Sequence, residues 1–93
     1  MKTLYIHLKV KYFNEIKSGK KVYEYRLKTD YWKRRLVGRD YDHVMFIAGY
    51  PRADDMSKRI IAPYRGYEEI CIEHPEWNNE PQEVFAILTP NFL

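Results

Sequence analysis

Several features that proteins use for crosslinking, membrane insertion or export are scarce in this chain of 93 residues. Its single cysteine, Cys71, excludes an internal disulfide and is typical of a reducing compartment. No stretch approaches the roughly 18 apolar residues of a membrane span, and residues 1–13 lack the apolar centre of a signal peptide. We therefore expect a cytoplasmic protein that does not bind membranes.

Residue patterns that carry several common chemistries are also missing. The histidines His7, His43 and His74 do not have the spacing of metal ligands, and there is no Cys-x-x-Cys pair. A Walker loop, a dinucleotide-binding glycine run and a Ser-His-Asp arrangement are absent as well. The sequence thus predicts neither a zinc site nor a bound cofactor, and a divalent metal would enter only as part of a ribonuclease mechanism.

Charge is unevenly distributed along the chain, although the net charge is only +3. Residues 1–39 carry twelve Lys or Arg and three acids, a balance of +9, whereas residues 40–93 carry four and ten, a balance of −6. A basic half in a small domain is typical of a phosphate-binding surface. The alternative is that the two halves interleave in the fold and neutralise each other.

The composition predicts a single folded domain over 1–93, since 45% of the residues are hydrophobic and 16% are aromatic. The predicted elements are strands over 4–10, 21–27, 41–50, 58–72 and 83–88, short helices over 12–17 and 31–36, and loops over 51–57 and 74–82. Pro63 and Gly66 predict a bulge or a two-strand bend within the long fourth stretch. This order indicates an α+β fold, a small mixed β-barrel with one or two short helices.

The most informative segment is 19–26, Gly-Lys-Lys-Val-Tyr-Glu-Tyr-Arg, where the first predicted helix meets a strand. It places charges of both signs in a stretch that also has to join a sheet. Burying such groups is costly unless they are paired or used. Its pattern is Gly-x-Lys-x-x-Glu-x-Arg, filled here by Gly19, Lys21, Glu24 and Arg26.

This pattern, placed after a strand and a short helix, resembles the ASCH domain of the PUA-like superfamily of small β-barrels. Residues 59–72 are similar to the penultimate strands of that family, and residues 84–88 are similar to its closing strand. The resemblance covers nearly the whole chain. It implies a PUA-like barrel with a cleft beside the first helix that is suited to RNA or a nucleotide.

Two enzymatic branches of the family can be compared with this chain. Acetylcytidine amidohydrolases of the family use a lysine, which corresponds to Lys21, and a threonine, which falls at Glu24, so the hydroxyl nucleophile is missing. Their distal glutamate would correspond to Glu68 or Glu69. Other members resemble metal-assisted ribonucleases, for which Glu24, Glu68 and Glu69 would have to converge on a divalent ion.

The charged residues of the motif have both a binding and a structural interpretation. We expect the cleft to be lined by Lys9, Lys21, Glu24, Arg26 and Tyr67. Glu24 and Arg26 share a strand face, either as a structural ion pair or with Arg26 presenting its fork to phosphate. Lys21 joins them if the strand begins irregularly after the glycine. It would then contact phosphate, or act with Glu24 as a catalytic acid–base pair.

Aromatic residues are a second group of candidates for contacts with a ligand. Tyr31 and Trp32 are flanked by Lys28, Lys33, Arg34 and Arg35, a mixture that suits single-stranded nucleic acid because rings stack on bases while cations follow phosphates. The alternative is an amphipathic turn with one ring in the core. Tyr23 and Tyr25 share a strand face and are predicted to lie in the core.

Three functions remain open from the sequence. The first is an ASCH-type module that binds RNA or a nucleotide, with single-stranded DNA as a further ligand, in a basic cleft. The second is a small RNA-processing enzyme, either a metal-assisted ribonuclease or a modified-nucleoside amidohydrolase. The third is a protein-interaction module that uses the acidic segment 68–83.

Overall fold

The computed structural model describes residues 2–90, so Met1 and residues 91–93 of the predicted domain lie outside the description. Its elements are strand β1 (Thr3–Leu8), helix α1 (Val10–Lys17), strand β2 (Tyr23–Leu27), helix α2 (Asp30–Leu36), and strands β3 (His43–Ala48), β4 (Arg59–Pro63), β5 (Tyr67–Ile72) and β6 (Gln82–Leu88). Short 3₁₀ turns cover Met56–Lys58 and Pro75–Trp77. Over the described range, no helix has the length and apolar character that crossing a membrane requires.

The strands form two three-stranded sheets, one in the order β1-β3-β4 and one in the order β2-β6-β5. Strands β1 and β3 are parallel, and the other pairs are antiparallel. The α+β class is therefore confirmed. Within residues 2–90 no strand pairing joins the two sheets into a closed barrel, so β1 and β2 each lie at a sheet edge. That position matters because both edges border the site described below.

One apolar core is shared by both sheets and both helices. Strand β1 contributes every second residue to it, because strand side chains alternate between faces. Helix α1 contributes residues three apart, which lie on the same helix face. The buried members are Leu4, Ile6, Leu8, Phe13, Ile16, Leu36, Val44, Phe46, Ala48, Phe85 and Ile87.

Two element boundaries differ from the sequence prediction around the charged segment. Strand β1 ends at Leu8 because Val10, which continues the apolar alternation, is the first residue of α1 and faces solvent. Strand β2 begins at Tyr23 instead of Lys21. The backbone N–H groups of Lys20 and Lys21 both donate to the Glu15 carbonyl, so these residues close the end of α1.

The long stretch 58–72 divides into two strands, as the bend prediction allowed. Gly66, between β4 and β5, has φ +88°, a left-handed conformation that glycine adopts without steric cost. Thr29 caps α2, since its Oγ1 accepts a hydrogen bond from the Trp32 N–H at 3.3 Å. This cap fixes the start of the helix that carries Tyr31 and Trp32.

Buried Thr89 ties the end of β6 to the segment before β2. Its Oγ1 lies 2.6 Å from the Lys21 carbonyl and 2.8 Å from the Val22 carbonyl, and its N–H donates to Val22 as well. We expect Thr89→Val to lower the free energy of unfolding by about 1–2 kcal/mol, because carbonyls lose a buried donor. Urea denaturation measures this. Thr89→Ser, which keeps the hydroxyl, should recover most of the loss, and an equal loss in both variants would contradict the assignment.

Candidate functional site

A cleft of about 370 Å³ opens where the carboxyl end of β1 meets strand β2 and the 3₁₀ turn Pro75–Trp77. The guanidinium of Arg26 bridges the two sheets here, since its Nη2 donates to the His7 carbonyl at 2.8 Å. The lining residues are His7, Leu8, Lys9, Tyr12, Lys21, Glu24, Tyr25, Arg26, Leu27, Thr29, Trp32, His74, Glu76 and Trp77.

Glu24 forms the buried centre of this cleft and is 5% exposed. Its Oε1 lies 3.6 Å from Lys21 Nζ, and its Oε2 accepts a hydrogen bond from Arg26 Nη2 at 3.1 Å. The side chains of Lys21 and Arg26 are 11% and 23% exposed. The Gly19–Arg26 segment therefore brings its three charged motif residues into one contact group, which we call the Glu24 cluster (Lys21, Glu24 and Arg26).

Lys21 reaches the cluster because it precedes the regular strand. Gly19 has φ +79°, which turns the chain out of α1 and lets Lys21 escape the alternation of β2. The Lys21 ammonium then lies 5.0 Å from the ring centre of Tyr12 and 5.1 Å from that of Tyr25, within cation–π range. This cation is therefore held between two rings and a carboxylate, at the edge of solvent.

Arg26 is oriented inward more than the sequence suggested. Its Nη2 is shared between Glu24 and the His7 carbonyl, and its Nε is buried without a hydrogen-bond partner in residues 2–90. Its guanidinium carbon lies 5.1 Å from the ring centre of Trp32. Of the two interpretations of Arg26, the structure contains the ion pair with Glu24, and the contacts of Nη2 are made within the protein.

The turn Pro75–Trp77 covers one side of the cleft and was not predicted as part of a site. Lys9 Nζ forms an ion pair with Glu76 Oε1, and the ring of His74 lies 6.2 Å from Tyr12 and 5.4 Å from Trp77. These contacts join segments far apart in the chain, so no local pattern indicates them. In the sequence, a local indication was that charged and aromatic residues lie close together in His-Pro-Glu-Trp, residues 74–77.

Titration properties follow from this ion pair. The hydrogen bond from Lys9 holds the pKa of Glu76 below its usual 4.5, and the same contact raises the pKa of Lys9 above 10.5. Partial burial, with a smaller effect of the Glu76 charge, raises the pKa of the Tyr12 hydroxyl. Lys9 and Glu76 therefore remain an ion pair over the whole neutral range.

The aromatic candidates separate into three positions. Trp32 lines the cleft, and Tyr31 lies outside it, 58% exposed and edge-on to Trp32 at 5.2 Å. Tyr67, expected in the cleft, instead packs edge-on against Phe85 at 5.2 Å and is not among the lining residues. Tyr25, expected in the core, is half-buried at the cleft wall.

The carboxylates proposed as metal ligands do not come together. Glu68 and Glu69 lie on β5, and β6 separates them from Glu24 on β2. Glu69 instead pairs with Lys28 at 3.0 Å. In the described part of the chain, no three His, Cys, Asp or Glu side chains are grouped as a metal site requires.

Charge in the cleft is nearly balanced. Three cations (Lys9, Lys21 and Arg26) face two carboxylates (Glu24 and Glu76), so the lining has a net charge of +1. The basic and acidic halves of the chain therefore interleave here, as the alternative interpretation held. The excess positive charge of residues 1–39 must lie elsewhere on the surface.

Comparison with protein-family models, with curated proteins and with solved structures gives no match. A function for this chain therefore has to be inferred from the chemistry of its cleft.

We expect Glu24→Gln to lower the free energy of unfolding by about 3 kcal/mol, because it leaves two largely buried cations without a counter-charge. Urea denaturation of the variant beside the parent measures the change. Glu80→Gln, an exposed acid outside the cleft, is the matched control and should change stability by less than about 0.5 kcal/mol. Similar small effects of both substitutions would show that the Glu24 cluster is not structurally required.

The contact of Glu76 with Lys9 should respond to pH at both extremes. Because the folded pKa of Glu76 is lowered, its stabilising effect is complete above pH 4.5 and is lost as the pH falls through that lowered pKa. Because the folded pKa of Lys9 is raised, the effect of the contact is complete below pH 10.5 and is lost as the pH rises through that raised pKa. The indole N–H signal of Trp77 in NMR spectra should report the acid transition.

Glu76→Gln is the control for this titration, since it removes the acidic group and keeps the shape of the side chain. Its Trp77 signal should no longer show the acid transition below pH 4.5. An unchanged transition in Glu76→Gln would assign the effect to another carboxylate.

Proposed function

We propose that this chain is an ASCH-type, PUA-like module that binds RNA or a nucleotide, with one nucleotide seated in the cleft. The observation that carries the proposal is the Glu24 cluster at the base of a cleft walled by the rings of Tyr12, Tyr25 and Trp32. Two sheets that share a core and are bridged at their β1 and β2 edges by Arg26 support the barrel-type fold.

The dimensions and chemistry of the cleft suit a base better than a duplex. Its volume of about 370 Å³ is at the small end of ligand sites, which span roughly 300–1,000 Å³. The aromatic walls offer stacking surfaces, and Glu24 and Lys21 offer an acceptor and a donor for base edges. Because its net charge is small, the cleft attracts phosphate weakly and is better suited to a base or a ribose.

A second candidate is an enzyme acting on a modified nucleoside. The supporting observation is that Lys21 and Glu24 lie 3.6 Å apart and largely buried in the cleft, so a potential acid and a potential base face the same bound group. Among the lining residues the one aliphatic hydroxyl is that of Thr29, which already caps α2. The ribonuclease alternative has less support, because Glu24 is separated from Glu68 and Glu69.

The protein-interaction alternative also has less support than nucleotide binding. Two acids of the segment 68–83 are engaged internally, Glu69 with Lys28 and Glu76 with Lys9. The segment therefore presents less free negative charge than its sequence suggests.

We expect labelled single-stranded RNA, single-stranded DNA or free nucleotides to bind at low salt and to weaken as salt rises. Lys21→Met should lower affinity about tenfold or more, because it removes a charged donor from the cleft while Glu24 keeps Arg26 as its partner. Fluorescence anisotropy measures this, with folding checked by circular dichroism. Lys17→Met is the control, since this exposed lysine of α1 lies outside the cleft. Absence of binding to all three ligands would contradict the proposal.

The labelled strands, incubated with and without Mg²⁺ or Mn²⁺ and resolved on a gel, test the ribonuclease candidate, and acetylcytidine followed by chromatography tests the nucleoside candidate. Intact strands and unchanged nucleosides would contradict both enzyme candidates and favour binding as the function. Turnover that persists in Lys21→Met and in Glu24→Gln would remove these residues from an acid–base role.

A further inference from the structure

Three tyrosine rings lie exposed immediately outside the cleft. Tyr5 is 50% exposed, Tyr31 is 58% exposed and Tyr50 is 88% exposed. Large rings on the surface of a small protein are informative when they are grouped, since grouped apolar surface marks contact sites. All three rings border the cleft, on the side formed by β1 and α2.

Tyr50 and Tyr5 extend the cleft along β1. The ring of His7, a lining residue of the cleft, stacks on Tyr50 with centres 4.5 Å apart and planes 17° apart. Tyr5 is two residues before His7 on the same outward side of the strand, roughly 6–7 Å away along it. Rings thus continue outward from the cleft on the side away from the core.

Tyr31 extends the cleft on its α2 side. The guanidinium carbon of Arg35 lies 5.6 Å from the ring centre of Trp32, which lines the cleft, and 5.1 Å from that of Tyr31. Arg35 Nη2 also donates to the Tyr5 carbonyl at 3.3 Å. The Arg35 guanidinium therefore contacts the rings of Trp32 and Tyr31 and the backbone of β1, and so links the cleft to Tyr31.

Part of the positive charge missing from the cleft lies on this side. Within residues 2–90, no ion pair involves the cations Lys33, Arg34, Arg35 and Arg39 on or just after α2. In the cleft, by contrast, every cation has a carboxylate partner. The surface beside α2 is therefore suited to several phosphates, and the cleft is suited to an uncharged base.

We propose that the ligand is a single-stranded nucleic acid several nucleotides long, and not a free nucleotide. One base enters the cleft, neighbouring bases stack on Tyr50 and Tyr5 or on Tyr31, and the phosphates follow the α2 cations. This inference rests on the proposed function and extends it, since it assigns a surface outside the cleft to the same ligand. Ring stacking combined with free cations is the chemistry of single-strand binding.

The composition of this surface favours nucleic acid over a second copy of the chain. Its exposed rings carry hydroxyl groups or ring nitrogens, and arginine lies between them. On the same sheet face Tyr5 is followed by Met45 on β3 and by exposed Ile61 on β4, an apolar row that makes a second copy of the chain the competing occupant in the test. Interfaces between proteins are depleted in lysine and in unpaired charge at their centre, whereas this surface carries cations of α2 that have no carboxylate partner within residues 2–90.

The test compares ligand lengths. Competition against a labelled octamer is measured with a nucleoside monophosphate, a dinucleotide, a tetramer and an octamer, each as RNA and as DNA. We expect the octamer to bind at least about tenfold more tightly than the monophosphate. Tyr50→Ala and Tyr5→Ala should each lower octamer affinity about five- to tenfold and leave monophosphate affinity unchanged.

Matched variants separate stacking from other effects. Tyr50→Phe and Tyr5→Phe keep the ring and should retain octamer affinity. Arg34→Gln should reduce the dependence of log affinity on log salt by about one for the octamer, whereas Lys17→Gln should not. The RNA and DNA series decide which of the two strands is preferred.

The failures of the two proposals are distinguishable. If the monophosphate binds and the octamer binds no better, the extended surface is refuted and the cleft function stands. If no ligand of any length binds, both proposals fail. If sedimentation shows a dimer that Tyr5→Ala or Tyr50→Ala dissociates, the surface is an interface between copies and the inference is overturned.

Discussion

The ionised group at the centre of this structure is Glu24. A carboxylate can be withdrawn from water in a small fold only if cations and donors surround it, and here Lys21 and Arg26 do so. The two cations come from different parts of the chain, Lys21 from the connection between α1 and β2 and Arg26 from β2 itself. Because Arg26 also holds the His7 carbonyl, the same charge network joins the edge of β1 to the edge of β2.

This network shapes the cleft as well as stabilising its walls. Arg26 lies against Trp32, and Lys21 lies between Tyr12 and Tyr25, so three rings are oriented by two cations. The consequence is a site with aromatic walls and little net charge. For the proposed nucleic-acid ligand, such a site would discriminate by stacking and hydrogen bonding, while long-range attraction would have to come from cations outside the cleft.

Charge is accordingly divided between two surfaces. Acidic residues from the second half of the chain pair with Lys9 at the cleft, through Glu76, and with Lys28 just after β2, through Glu69. The cations on and after α2 have no such partners within residues 2–90. The net charge of +9 over residues 1–39 therefore does not give the charge of any one surface, since sequence position does not say which charged residues form ion pairs.

Local pattern determined the order of strands and helices, the bend at Gly66 and the contact of Glu24 with Arg26, because alternation, capping and glycine conformation act over a few residues. Tertiary structure decided the rest. The approach of Glu76 and Trp77 to Lys9, the separation of Glu68 from Glu24 and the packing of Tyr67 on Phe85 depend on which strands are neighbours. Those pairings are set by burying one shared core, a condition on the whole chain that no short segment expresses.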